Sequence, residues 1–73
     1  MLMKLIRLGW TVELYRSATT KSLLIELSDP QTLVDERLPY RLDTEANVDL
    51  LPGFEVEAAI EETIRRFCLR NGL

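Results

Sequence analysis

The sequence predicts a small α+β domain: an N-terminal antiparallel β-hairpin, three or four strands in all, covered by one C-terminal α-helix. Two patterns and one physical requirement lead there. Apolar and polar residues alternate over residues 3–16 and again over 21–28, the period of a half-buried strand. Val56, Ile60, Ile64 and Phe67 then recur at helical spacing. A sheet with one apolar face and a helix with one apolar stripe each need a cover, and a two-layer domain supplies both.

The first strand is read from Ile6, Leu8, Trp10, Val12 and Leu14 on one face, with Arg7, Gly9, Thr11 and Glu13 on the other. Trp10, Thr11, Val12 and Tyr15 are also favoured in strands. Gly9 predicts a bulge, a bend or a close backbone approach. Residues 1–8 leave a helical alternative open, because Met, Leu and Lys are good helix formers. The polar run Ser17–Ala18–Thr19–Thr20 interrupts the alternation, and Lys21–Ser28 resumes it with Leu23, Ile25 and Leu27 on one face. A hairpin follows.

Asp29–Pro30 reads as the turn that ends the second strand. Residues 31–50 hold short apolar islands separated by acids and by Pro39. One or two further strands are expected there, at Tyr40–Leu42 and Val48–Leu50. Pro39 confines the first of them to an edge or to its own opening position.

Leu51–Pro52–Gly53 is a turn, and a helix is expected over residues 55–70. Glu55 and Glu57 stand in its first turn and Arg66 and Arg70 in its last, which suits the helix dipole at both ends. Glu61 and Glu62 precede Arg65 and Arg66 by four residues, the better orientation for helical ion pairs. Gly72 supplies the stop. Val56, Ile60, Ile64 and Phe67 are expected to face Ile6, Leu8, Val12, Leu23 and Ile25.

Length and composition bound what such a chain can be. Seventy-three residues, 47% hydrophobic and 29% charged, make one folded domain over residues 1–73 rather than a disordered segment. Domains this small usually gain stability from disulfides, a metal or a partner chain. A single cysteine, Cys68, and no histidine leave no internal disulfide and no Cys- or His-rich zinc site. Association or a well-packed core is what remains, and of the two a homo-oligomer is the expectation. Lys4 and Arg7 interrupt the apolar N-terminus, no small-residue cleavage site follows, and no run is long enough to span a bilayer. With one unpaired cysteine, the expectation is a soluble protein of a bacterial-type cytoplasm, without a membrane partner.

Charge is sorted along the chain. Residues 1–25 carry a balance of +3, residues 26–62 of −9 and the last eleven of +3, for a net −3. Such segregation attracts partners or a second copy and says nothing direct about chemistry.

No constellation of side chains assembles a catalytic, cofactor-binding or metal-binding site. Asp43, Glu45, Asn47 and Asp49 place oxygens at alternate positions, like the opening of a calcium loop. Val48 then stands where the turn needs glycine and Phe54 where the bidentate glutamate belongs, so an acidic turn or wet strand face is expected. Cys68 has no histidine to activate it and lies beside the apolar stripe near the helix's negative end, the setting of a buried structural thiol. Asp35/Glu36 and Glu61/Glu62 read as solvated charges, and Gly9, Gly53 and Gly72 are too scattered to cradle phosphate. Lys4, Arg7, Arg16 and Lys21 with Trp10 and Tyr15 could line a nucleic-acid surface. A pI of about 4.8 and the apolar face assigned to Trp10 weigh against it.

Val12–Glu13–Leu14–Tyr15–Arg16 and Leu51–Pro52–Gly53–Phe54 resemble two pieces of the C-terminal tail found in a large group of bacterial restriction-endonuclease-like proteins. The spacing between the pieces is longer here, and no nuclease core precedes them. The resemblance implies a detached tail without catalytic residues, and no function is carried over from it.

The functional expectation is a small non-enzymatic protein–protein interaction module, homo-oligomeric, with no cofactor. Three alternatives stand beside it. They are an acidic inhibitor or adaptor on a basic protein surface, an accessory subunit of a larger enzyme, and a nucleic-acid binder acting through the basic hairpin.

Overall fold

In a computed structural model that describes residues 1–32 and 34–73, the elements run α1 (Leu2–Arg7), β1 (Thr11–Arg16), β2 (Ser22–Ser28), β3 (Tyr40–Asn47) and α2 (Gly53–Arg70). The strands form an antiparallel meander in the order β1-β2-β3. Two helices pack on one face. The α+β class therefore stands, but the order of elements differs from expectation, because a short helix comes first.

Residues 3–8 do not extend the first strand. The alternation of Ile6, Leu8 and Trp10 does not decide this segment; its helix-forming Met, Leu and Lys residues do. The glycine that hinted at a bulge ends the helix instead. Gly9 takes φ +89°, its N–H donates to Ile6 C=O at 3.0 Å, and Trp10 N–H donates to Leu5 C=O at 3.0 Å. This pair of bonds around a left-handed glycine is a Schellman stop. α2 ends in the same manner. Gly72 has φ +69°, and Leu73 N–H donates to Cys68 C=O at 2.9 Å.

β1 and β2 pair one for one from Thr11↔Ser28 to Arg16↔Leu23. Their loop closes where Ser17 N–H donates to Ser22 C=O at 2.8 Å, with Lys21 at φ +60°. Asp29 ends β2 as expected: one carboxylate oxygen accepts from Gln31 N–H, Thr32 N–H and Thr32 Oγ1 at 2.8–2.9 Å. The Thr32 hydroxyl bond, above all, holds the Asp29 pKa below the ordinary carboxylate range.

β3 is one eight-residue strand, and Val48–Leu50 is a turn beyond it rather than a second strand. Its register slips between Leu24↔Asp43 and Ser22↔Asn47. Glu45 sits in the slip at φ +58°. There the Thr44 hydroxyl takes over the ladder, accepting from Leu23 N–H at 3.2 Å and donating to Leu23 C=O at 2.9 Å.

Paired strand residues share a face, so Val12, Leu27 and Tyr40 stand in one row and Leu14, Ile25 and Leu42 in the next. That face carries the core. Leu5, Ile25, Leu27, Ile64, Phe67 and Cys68 are buried, with Met1, Leu2, Trp10, Val12, Leu42, Ile60 and Leu73 packed around them. Ile6 and Leu8, expected in the core, are exposed, and Leu5 replaces them. The helical turn that brings Leu5 inward turns its neighbours out. Trp10, Tyr40 and Phe67 close one end, with Trp10 edge-on to Phe67 at a centroid distance of 5.8 Å. Trp10 is thus a packing residue. No described helix is long and apolar enough to cross a membrane.

Candidate interaction surface

Among the described residues, one face of the sheet carries no helix. Thr11, Glu13, Tyr15, Leu24, Glu26, Ser28, Arg41 and Asp43 lie there by register. Its centre is a row running Glu13, Glu26, Arg41, in which Arg41 Nε donates to Glu26 Oε1 at 3.0 Å. Tyr15 donates its phenolic hydrogen to Glu13. That bond pushes the phenol pKa up, so near neutral pH Tyr15 keeps its proton and serves as a hydrogen-bond donor. Tyr15, Leu24, Glu26, Arg41, Leu42 and Asp43 surround a shallow depression of about 340 Å³. A second groove of about 300 Å³ lies between β3 and the last turns of α2, lined by Asp43 and Glu45 from β3 and by Arg66 and Arg70 from α2.

The helix-bearing face is itself incompletely covered. α2 lies against β3, and α1 bridges α2 and β1. Ile25 is fully buried in the middle of the row, whereas Leu14, its partner on β1, is 49% exposed. Met3, Ile6 and Leu8 of α1 are exposed too. The accessible surface is 5110 Å², against about 4600 Å² for an average monomer of this mass. The body measures 38 × 22 × 18 Å.

The residues singled out from the sequence are dispersed. Asp43, Glu45, Asn47 and Asp49 do not converge. Asp43 and Asn47 accept N–H bonds from Glu45 and Asp49 two residues on, and Asp49 is paired with Arg16. Among the described residues, no group of three or more His, Cys, Asp or Glu side chains could hold a metal ion. Cys68 is fully buried. Asp35 pairs with Arg37 at 3.0 Å, and Glu36 is exposed beside it.

The basic residues of the N-terminal third do not form a stripe. Lys4 and Arg7 lie on α1, Lys21 donates to Ala18 C=O in the hairpin loop, and Arg16 is bound to Asp49 through Nε at 3.0 Å and Nη2 at 2.5 Å. This last pair joins the basic and acidic blocks of the sequence within one chain, and it holds the Asp49 pKa down. In α2, Glu62 takes both Arg65 and Arg66, while Glu61 binds the Met1 ammonium.

Sequence reasoning missed the free outer edge of β1. A strand's neighbours are set by topology, and no local residue pattern reports which edge is left open. No protein-family model, no curated protein and no solved structure matches the chain.

Proposed function

We propose that this chain is a small non-enzymatic protein–protein interaction module that works as a homo-oligomer in the cytoplasm. The observation that supports this is the half-exposed Leu14 in the same row as the fully buried Ile25: the core runs to the molecular surface along β1 and stops uncovered. Apolar patches that continue a core mark places where another chain docks. Sedimentation equilibrium over the micromolar to submillimolar range tests the reading. A mass above that of one chain is expected, and a strict monomer throughout would overturn it.

A second reading draws on the β3 side. Asp43 and Glu45 are exposed there and form no ion pair among the described residues. They suit a basic protein surface, which makes the chain an acidic adaptor or inhibitor. Such a complex weakens steeply with added salt. A salt-insensitive complex would count against it.

A further inference from the structure

Building on the homo-oligomeric reading, we infer that two copies join edge to edge along β1, in one antiparallel register centred on Leu14. The backbone comes first. Ser17 N–H bonds Ser22 C=O, and the β1–β2 pairing runs from there without a slip. In an antiparallel ladder, bonding toward one neighbour alternates along the strand. Thr11, Glu13 and Tyr15 therefore bond toward β2, while Val12, Leu14 and Arg16 turn their N–H and C=O groups outward. Among the described residues, no backbone group bonds that outer edge.

A two-fold axis through the sheet keeps the helix-bearing faces of both copies on one side. It also sets one residue opposite itself, at the centre either of a hydrogen-bonded pair of the outward set or of a non-hydrogen-bonded pair between them. Centring on Glu13 would oppose two carboxylates, and centring on Tyr15 would overlap only Leu14–Arg16. Centring on Arg16 would oppose two guanidinium groups. Centring on Val12 would overlap only Thr11–Glu13. Centring on Leu14 aligns five residues, and Val12, Leu14 and Arg16 each donate and accept across the seam. Leu14 then covers Leu14 of the second copy, and Val12 lies against the aliphatic stem of Arg16. On the other face Glu13 stands opposite Tyr15 of the second copy, whose phenol already binds a glutamate in its own chain. No like charges are directly opposed, and cross-strand pairs of this kind stabilise a ladder.

The other edge of the sheet is unsuited to the same pairing. Pro39 lacks an N–H at its entrance, Glu45 sits at φ +58° in a register slip, and a seam centred on Asp43, Thr44 or Glu45 would set carboxylate against carboxylate. β1 carries none of these devices. The joined sheet would have six strands, with α1 of each copy flanking the seam on the face that holds Leu14.

Cysteine cross-linking reads the register directly. A Leu14→Cys variant should form a disulfide-linked dimer under mild oxidation, because a residue on the two-fold meets itself within disulfide reach. Wild type should not, since Cys68 is fully buried. Leu69→Cys, on an exposed α2 position, measures random collision. Leu14→Lys, with far-UV circular dichroism to confirm its fold, should weaken the dimer by about tenfold or more. If wild type sediments as a dimer but Leu14→Cys cross-links no faster than Leu69→Cys, the β1 seam is wrong and self-association stands. If wild type is a monomer throughout, the oligomeric reading falls and the seam with it.

Discussion

Trp10 N–H donates to Leu5 C=O at 3.0 Å across Gly9, and this bond is where the N-terminal helix hands over to the first strand. The turn requires Gly9 at φ +89°, and a Cβ there would stand 3.2 Å from Pro30 Cγ. Backbone conformation and contact both oppose a side chain. Gly9→Ala should lose about 1–2 kcal/mol of stability, most of it from the left-handed backbone. Urea denaturation measures the loss. A neutral or stabilising result would mean that the junction does not need its left-handed residue.

The same junction shows what the sequence could and could not disclose. The stripe Ile60, Ile64 and Phe67, the glycine stop at Gly72, the Asp29–Pro30 turn and the alternation through Leu23, Ile25 and Leu27 are local patterns, and they carried over into structure. Residues 3–8 satisfy two periods at once, so periodicity alone could not choose between strand and helix. β3 was recognised only in part, because its slip at Thr44 and Glu45 breaks alternation midway. The interaction surface was the least legible. Leu14 reads as an ordinary inward strand residue, and only the placement of α2 over β3 shows that it is left half-exposed.

Leu5 and Ile6 separate the helical from the extended reading of the N-terminus. Leu5 is fully buried and Ile6 is 46% exposed. Leu5→Ala should cost about 2–5 kcal/mol, as for other buried aliphatic truncations. Ile6→Ala, in dilute solution, should stay within about 0.5 kcal/mol of wild type. Equilibrium unfolding of the two variants compares them directly. An N-terminal strand with Ile6 inward would give the reverse order.

Among the described residues, Thr44 is the sole side chain bonding both backbone groups of Leu23 at the β3 slip. Thr44→Val keeps the shape but leaves a half-buried N–H and C=O without that partner. A loss of about 1–2 kcal/mol is expected, in the range for unsatisfied buried groups. Thr44→Ser retains the hydroxyl and should recover most of it. Hydrogen exchange at the Leu23 amide supplies the local readout: protection should fall in Thr44→Val and persist in Thr44→Ser. Equal protection in both would assign the slip's stability to packing.

Glu62 should give the fold a measurable acid sensitivity. Its carboxylate accepts from Arg65 Nε and Nη2 at 2.8 and 2.6 Å and from Arg66 Nε at 3.1 Å. These bonds, Arg65 foremost, lower its pKa from 4.5 to about 2. The unfolded chain therefore takes up a proton near pH 4.5 that the folded chain resists until about pH 2. Stability from this group is fully present above the upper value and is lost as pH falls through the lower one. Asp29 and Asp49, also shifted downward, add to the slope in the same direction. Glu62→Gln removes one titrating group. Its thermal midpoint should lie below wild type at neutral pH, and the gap should narrow steadily toward pH 2. Added salt at neutral pH should narrow it as well, because Glu62, Arg65 and Arg66 are all in contact with solvent. A gap unchanged by both pH and salt would show that Glu62 contributes through its packing and not through its charge.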